Sequence, residues 1–376
     1  MQMRKPLEEG HAAAHVVRTA QLVSNLQYDA GCEFCEYYKE RRPARAAMLT
    51  TSAPGKCILL GEHAVVYGHP ALAVAIDLRM RVNLSASKAE RDVHHVDGRP
   101  LLPEKHPHIT GALARLWPDS EGRSRLNIFT ESELPAAAGL GSSAALSVGL
   151  SAALSAAASG SEQIDAEQIS LLGHQLEAAA QSGIASPMDT ATSTHGGCVM
   201  LGSERLDDSW LYTRELGGRT WDIHCFDPPG SLKEARLVIG HTGIHASTSE
   251  LVRGLRERLE SEPDLALNFN AIAALTKHGV DAMRSGDLPT LGAVMDLNHR
   301  HLQNLGVSCP ELDRLVLAAR DTALGAKLTG AGGGGCMIAL SIEPRATSDA
   351  IELAGGRSFI CSMGAEGVRI EHLEEL

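Results

Sequence analysis

At 376 residues the chain is long enough for two domains, each with its own core. Its 34 basic against 46 acidic side chains leave a net charge of −12, which argues against a general nucleic-acid or membrane-surface binder. No run of about 18 or more uninterrupted apolar residues suggests a membrane span, and Met1–Gly10 lacks the apolar core of a secretory signal. The eight cysteines are scattered, and Cys57, Cys198 and Cys336 sit in apolar or glycine-rich runs. That pattern fits buried reduced thiols in a cytoplasmic protein better than a disulfide framework. Cys32-x-x-Cys35 has no second pair nearby and is read as incidental.

Residues 1–47 are polar, carry a short amphipathic pattern between His15 and Leu26, and end in Lys39-Glu40-Arg41-Arg42-Pro43-Ala44-Arg45. They read as a poorly ordered extension, with a compact domain beginning at Met48. Short apolar strands are expected at Cys57–Leu60, Ala73–Ile76, Arg81–Leu84 and Leu126–Thr130. An Ala-, Leu- and Ser-rich helix then runs to Ser159-Gly160. Ile169, Leu172, Leu176 and Ala180 predict a helix over Ala166–Gln181. Asp227-Pro228-Pro229-Gly230 is a breaker before a fresh strand at Ala235–Gly240, so the domain boundary falls there, dividing 48–230 from 231–376. Helices around Ser249–Glu260, Asn268–Ser285 and Cys309–Ala323 and a strand at Gly335–Leu340 complete the second half. Strands and helices mix without a fixed repeat, so the class is α/β or α+β.

Chemistry concentrates in four segments. Pro135-Ala136-Ala137-Ala138-Gly139-Leu140-Gly141-Ser142-Ser143-Ala144-Ala145 is a glycine turn opening directly onto a helix. Glycines let backbone amides crowd a ligand, and the helix start adds unpaired N–H donors and the positive end of the dipole. That is an anion site suited to phosphate. It is not the Walker arrangement, because no Gly-Lys-Ser/Thr follows. Taken alone it reads equally as a tight loop with a serine cap.

The second segment is Ala53-Pro54-Gly55-Lys56-Cys57-Ile58-Leu59-Leu60-Gly61-Glu62-His63-Ala64-Val65-Val66-Tyr67-Gly68. Lys56 at a strand start and Glu62-His63 at its end read either as site residues or as strand-edge solvation. The third, Ser182-Gly183-Ile184-Ala185-Ser186-Pro187-Met188-Asp189, contains a helix opening at which Asp189 either complements the dipole or does chemistry. The fourth is Lys327-Leu328-Thr329-Gly330-Ala331-Gly332-Gly333-Gly334-Gly335-Cys336. So many glycines are costly to order, which favours close backbone approach to a ligand.

In this order the four segments resemble the GHMP kinases, and within them the mevalonate kinase branch; the similarity spans residues ~50–376. Gly61-Glu62-His63-Ala64-Val65-Val66-Tyr67-Gly68 carries the branch, since galactokinases have Gly-Glu-His-Thr-Asp there. The resemblance implies a two-domain fold, an N-terminal α/β domain and a C-terminal ferredoxin-like α+β domain, with ATP and substrate meeting in the cleft. It implies phosphorylation of the primary 5-hydroxyl of mevalonate with Mg2+, in a homodimer. By motif, Pro135, Gly139, Leu140, Gly141, Ser142, Ser143 and Ala144 match the phosphate loop. Ser143 and Glu177 match the metal ligands, and Asp189 and Lys56 the catalytic pair. Glu62, His63, Thr242, Gly330, Ala331 and Gly332 match the substrate side. Glu177 lies twelve positions before Asp189, against eleven in the animal enzymes, so a solvated helix carboxylate stays open as its alternative.

An alcohol phosphorylation needs positioning and charge neutralisation and no covalent catalysis by the protein. Rival readings are another GHMP small-molecule kinase, such as a mevalonate 3-kinase or a sugar kinase, and a non-catalytic nucleotide sensor. The intact Lys56/Asp189 pair speaks against the sensor. A dinucleotide-binding fold fails because the apolar strand Met337–Leu340 follows the last glycines where a helix would be required.

Overall fold

The computed structural model describes residues 48–87, 93–118, 125–135, 138–180, 186–202, 204–205, 208–216, 219–245 and 248–373. The pattern at His15–Leu26, the Cys32/Cys35 pair, Ala136-Ala137, Gln181 and Ser182–Ala185 lie outside them.

Strand β1 (Met48–Leu60) pairs antiparallel with β2 (Ala71–Ala86), and the ladder shifts register between Pro54 and Gly55. Proline offers no N–H to a ladder, and at Gly55 the Leu134 side chain occupies the place of a Cβ. Pro54 faces Arg79 while Gly55 faces Ile76, so Asp77 and Leu78 fall out of the pairing. The strands expected at 73–76 and 81–84 are therefore two halves of one strand, interrupted by a bulge. A short hairpin, β3 (His95–Val96) and β4 (Arg99–Pro100), is followed by α1 (Pro107–Leu116) and β5 (Leu126–Ser132). Then come α2 (Ser142–Ser159), α3 (Ala166–Ala180), α4 (Pro187–His195), β6 (Cys198–Gly202), β7 (Trp210–Leu216) and β8 (Arg219–Phe226). The sheet order is β4-β3-β5-β2-β6-β8-β7, with β1 also paired to β2. By length and composition α2 could cross a membrane, yet most of it is buried, packed on β1 and β2.

The second unit holds β9 (Arg236–His241), α5 (Thr248–Ser261), α6 (Leu267–Ser285), α7 (Leu288–Asn304), α8 (Pro310–Arg320), β10 (Gly325–Thr329), β11 (Cys336–Ser341), α9 (Pro344–Leu353) and β12 (Arg357–Cys361). Its antiparallel sheet runs β10-β11-β9-β12. The last strand, β13 (Arg369–Leu373), returns to the large sheet and pairs with β1, so a division at 230/231 leaves one strand on the far side. Buried Arg79 fastens this return. Its guanidinium donates to the carbonyls of Glu366 (2.8 Å) and Gly367 (2.7 Å) and to the Ser52 hydroxyl (2.7 Å).

Helix α7 was not expected, because Pro289, Gly292 and the polar run Asn298–His301 hide its apolar face. Its start is nevertheless conventional: the Asp287 carboxylate accepts the Thr290 N–H at 3.0 Å. Leu291, Val294, Met295 and Leu302 are buried. At Gly292 the helix meets the sheet backbone to backbone, with the Leu324 carbonyl standing where a Cβ would be. Gly292→Ala should therefore cost about 1–3 kcal/mol through overpacking, read as a lower denaturation midpoint; an unchanged midpoint would contradict this close approach.

Candidate active site

The first functional group is set by the β1 bulge and the turn that rests on it. Lys56 donates its backbone N–H to the Leu140 carbonyl at 2.9 Å, fastening the 138–141 turn to β1. Gly139 and Gly141 both have positive φ, 75° and 76°, a left-handed conformation that only glycine adopts without strain. With Gly141 as its cap, α2 starts at Ser142, so the first-turn amides of Ser142, Ser143 and Ala144 have no intrahelical acceptor. The Lys56 stem runs along Gly141, where a Cβ would come within 3.0 Å of its Cγ.

Lys56 Nζ lies 3.0 Å from Asp189 Oδ1 and donates to the Gly139 carbonyl at 3.2 Å. The lysine side chain is 3% exposed and that of Asp189 33%, so the carboxylate is the half of the pair that a ligand can reach. Asp189 is placed by a well-formed helix start. Ser186 Oγ accepts the Met188 N–H at 3.2 Å, and Pro187 occupies the first turn of α4.

Glu177 projects from α3 towards the start of α2. Ser143 Oγ donates to Glu177 Oε1 at 2.6 Å, and Ser147 Oγ, one helical turn further on, to Oε2 at 3.3 Å. His108 Nδ1 lies 2.9 Å from Ser147 Oγ and 3.7 Å from Glu177 Oε2. Glu177 is buried rather than on a solvated helix face. Burial pushes its carboxyl up to about 7, and the charge of Asp189 adds to this against the serine hydrogen bonds and Lys56. His108 and Ser147 escaped the motif reading; the only sequence signal was the i, i+4 spacing of Ser147 from Ser143.

The remaining corner joins the two units. Glu62 is buried in an ion pair with the fully buried Lys327 of β10, and its other oxygen accepts from Asn298 Nδ2 of α7 at 3.3 Å. Expected on the substrate side, Glu62 thus points into the protein, towards Lys327 and Asn298. His63 has φ 59°, a strained value for a non-glycine residue. Its Nε2 lies 2.8 Å from the Ala331 carbonyl, which can only accept, so Nε2 carries the hydrogen. Burial pushes the imidazole pKa down, leaving a neutral ring whose Nδ1 is an acceptor. The ring N–H of His63, expected on the substrate side, is therefore spent on the glycine loop. Thr329 Oγ1 donates to the Ile58 carbonyl (3.0 Å) and accepts the Ile58 N–H (3.1 Å), clasping β1 across the junction. Thr242, just beyond β9, donates to the Gly335 carbonyl from its N–H (2.9 Å) and hydroxyl (3.0 Å). The two glycine loops face each other: a Cβ built on Gly139 would lie 4.0 Å from Gly330 Cα, an ordinary van der Waals distance.

A glycine loop at a helix start, an ion-paired half-exposed aspartate and a second glycine loop from another domain converge on one cleft. The family model described as GHMP kinases N terminal domain matches residues 108–197, and GHMP kinases C terminal matches 280–359. A mevalonate kinase of Pyrococcus horikoshii is 35% identical over 350 residues, 86% of this chain and 97% of that protein. The chain belongs to the GHMP kinase family. Among solved structures, the Methanococcus jannaschii mevalonate kinase matches with TM-score 0.66 at 26% identity, covering 85% of this chain and 99% of the other. The L. major mevalonate kinase in complex with R-mevalonate matches with TM-score 0.70 at 25% identity over 87% and 100%. These likenesses bear out the two-domain fold expected for this chain from the motifs.

The raised Glu177 pKa has a stability consequence. The folded metal-free protein holds a proton that the unfolded chain has released, so stability falls as pH rises from the ordinary carboxylate range through about 7. Melting temperatures from about pH 5 to 8 should fall more steeply for the parent than for Glu177→Gln; parallel profiles would contradict this assignment.

Proposed function

We propose that this GHMP kinase transfers the γ-phosphoryl group of ATP to the primary 5-hydroxyl of mevalonate, giving 5-phosphomevalonate and ADP. The observation that carries the reading is the Lys56–Asp189 pair at 3.0 Å beside the 139–143 amides, with the aspartate on the reachable side. The amides of Gly139–Ala144 receive the phosphates. Asp189 accepts the hydroxyl proton, which in a loose transition state is released late. Lys56 holds that carboxylate in place and adds positive charge for the transferring oxygens. The Gly330–Gly335 loop, with Ala331 held by His63, and Thr242 close the substrate side, where backbone N–H groups suit a carboxylate.

Ser143 and Glu177 fit a magnesium ion: two hard oxygen donors lie 2.6 Å apart, and the carboxylate is desolvated. Among the described residues no cluster of three or more His, Cys, Asp or Glu could hold a metal alone, which suits an ion that completes its shell from nucleotide phosphates and water. Such an ion would neutralise charge on the phosphates. The reading includes a homodimer and a cytoplasmic location, the latter supported by the unbridged thiols of Cys57, Cys198, Cys336 and Cys361.

Incubation with Mg-ATP and mevalonate should give a product whose phosphorus couples to the C5 methylene protons in the 31P spectrum. An uncoupled phosphorus, as on a tertiary 3-hydroxyl, or turnover of a sugar but not mevalonate, would overturn the substrate. Asp189→Asn should lower kcat by about 10²–10⁴-fold with little change in ATP affinity. A folded variant with near-parental turnover would return Asp189 to a helix-start role worth about 1 kcal/mol or less.

A further inference from the structure

We propose that Tyr212 is a positioning residue for the phosphoryl transfer: its hydroxyl bridges the helices that carry Glu177 and Asp189 and sets the spacing between them. The proposal rests on the roles given to those two carboxylates above.

Tyr212 stands on β7 with its ring buried. Its hydroxyl donates to Ser170 Oγ of α3 at 2.8 Å and lies 2.8 Å from His195 Nε2, at the end of α4. Since the phenol proton goes to Ser170, His195 must donate from Nε2. Burial pushes the His195 pKa down to about 4, so the ring stays neutral and keeps that tautomer around neutral pH. Ser170 precedes Glu177 by seven residues, two helical turns, so it lies on the same side of α3 about 10 Å along its axis. His195 closes the same short helix that Asp189 opens. One oxygen atom therefore ties both helices to one strand.

Two features give this link its weight. The junction of α3, α4 and β7 encloses a small cavity lined by Ser170, His174, Pro187, Ala191, Tyr212 and Arg214. His174 Nδ1 there is buried without a hydrogen-bond partner among the described residues. Met188, Ala191, Tyr212 and Ile223 pack together on the α4 side of this junction, and the Tyr212–Ser170 hydrogen bond is a polar tie from that cluster to α3. The phenol itself is held in place. The Arg214 guanidinium sits 4.5 Å from the Tyr212 ring centre, while the same side chain donates to the Glu167 carbonyl (3.0 Å) and pairs with its carboxylate (3.4 Å) in the first turn of α3.

The test uses the full chain with Tyr212→Phe, which removes one oxygen and keeps the ring. Mn2+ affinity is measured by electron paramagnetic resonance in the complex with a non-hydrolysable ATP analogue, alongside kcat, KM and melting temperature. The expected result is a fall in kcat of about 5–50-fold, because small misplacements of reacting groups are costly in rate. Mn2+ binding should weaken several-fold and the KM for mevalonate stay within about twofold. His195→Gln, whose amide can still donate to the phenol oxygen, should retain most of the parental kcat and Mn2+ affinity. A Tyr212→Phe protein that melts lower yet keeps parental kcat and Mn2+ affinity would overturn the proposal, as would a change confined to KM. If the parent protein itself does not phosphorylate mevalonate, the substrate reading fails, while the Mn2+ comparison still decides whether Tyr212 sets the Glu177 site.

Discussion

A lysine with no exposure and a glutamate with almost none meet where the two sheets join, and the cleft depends on their pairing. Taking Lys327 and Glu62 out of water carries a large penalty, recovered only when each charge finds the other and the leftover hydrogen-bonding capacity is met. Asn298 Nδ2 donates to the second Glu62 oxygen, and the Leu328 carbonyl is a further acceptor for Lys327. Burial pulls the lysine pKa down while Glu62 holds it up. Glu62 belongs to the end of β1 and Lys327 to β10, so one docking of the two units satisfies both charges. Such a pair adds little net stability over apolar packing, but removing either partner would leave an uncompensated buried charge.

The chemistry follows from that docking. With β10 held against β1, Thr329 reaches both backbone groups of Ile58, and the chain beyond it is delivered at the 138–141 turn. Glycine suits this meeting because Gly139, Gly141 and Gly330 all have positive φ, 75°, 76° and 81°. A Cβ at Gly332 would strike the Val307 carbonyl, and Gly333 donates to that same oxygen at 2.9 Å. The loop is thus pinned by backbone to α7's end on one side and by His63 on the other. The positive φ of His63 is sustained by this arrangement: its imidazole is held by Ala331, and its neighbour Glu62 by Lys327.

Much of the site was legible in the sequence because its signals are local. Glycines at obligatory left-handed positions, a Ser-Pro helix start and a lysine next to a bulge each act through the backbone around them. What escaped was non-local. Nothing near Lys327 announces that its partner lies 265 residues away, and nothing near Glu62 shows that it turns inward. His108 and Ser147 lie behind Glu177 only because α1, α2 and α3 converge. In the fold, Asp77-Leu78 read as a break between two strands because a bulge expels two residues without ending a strand. The helix α7 was hidden by the polar residues, Asn298 and His299, that the buried network requires.

Two carboxylates in one cleft are thereby given different environments by short stretches of chain. Asp189 opens a helix, is one-third exposed and has a lysine at 3.0 Å, so it is the carboxylate within reach of a ligand. Glu177 lies in the last turn of α3, is enclosed by two serine hydroxyls and a neutral imidazole, and is pushed up to about 7 by desolvation. Acids separated in this way serve different roles. The exposed, paired one suits a proton acceptor that must meet an incoming hydroxyl. The buried one lacks solvation for its negative charge, and a cation arriving with a nucleotide would supply it. Binding of metal and nucleotide would then displace the Glu177 proton without adding charge to Asp189, and that separation needs α3 and α4 to hold their distance.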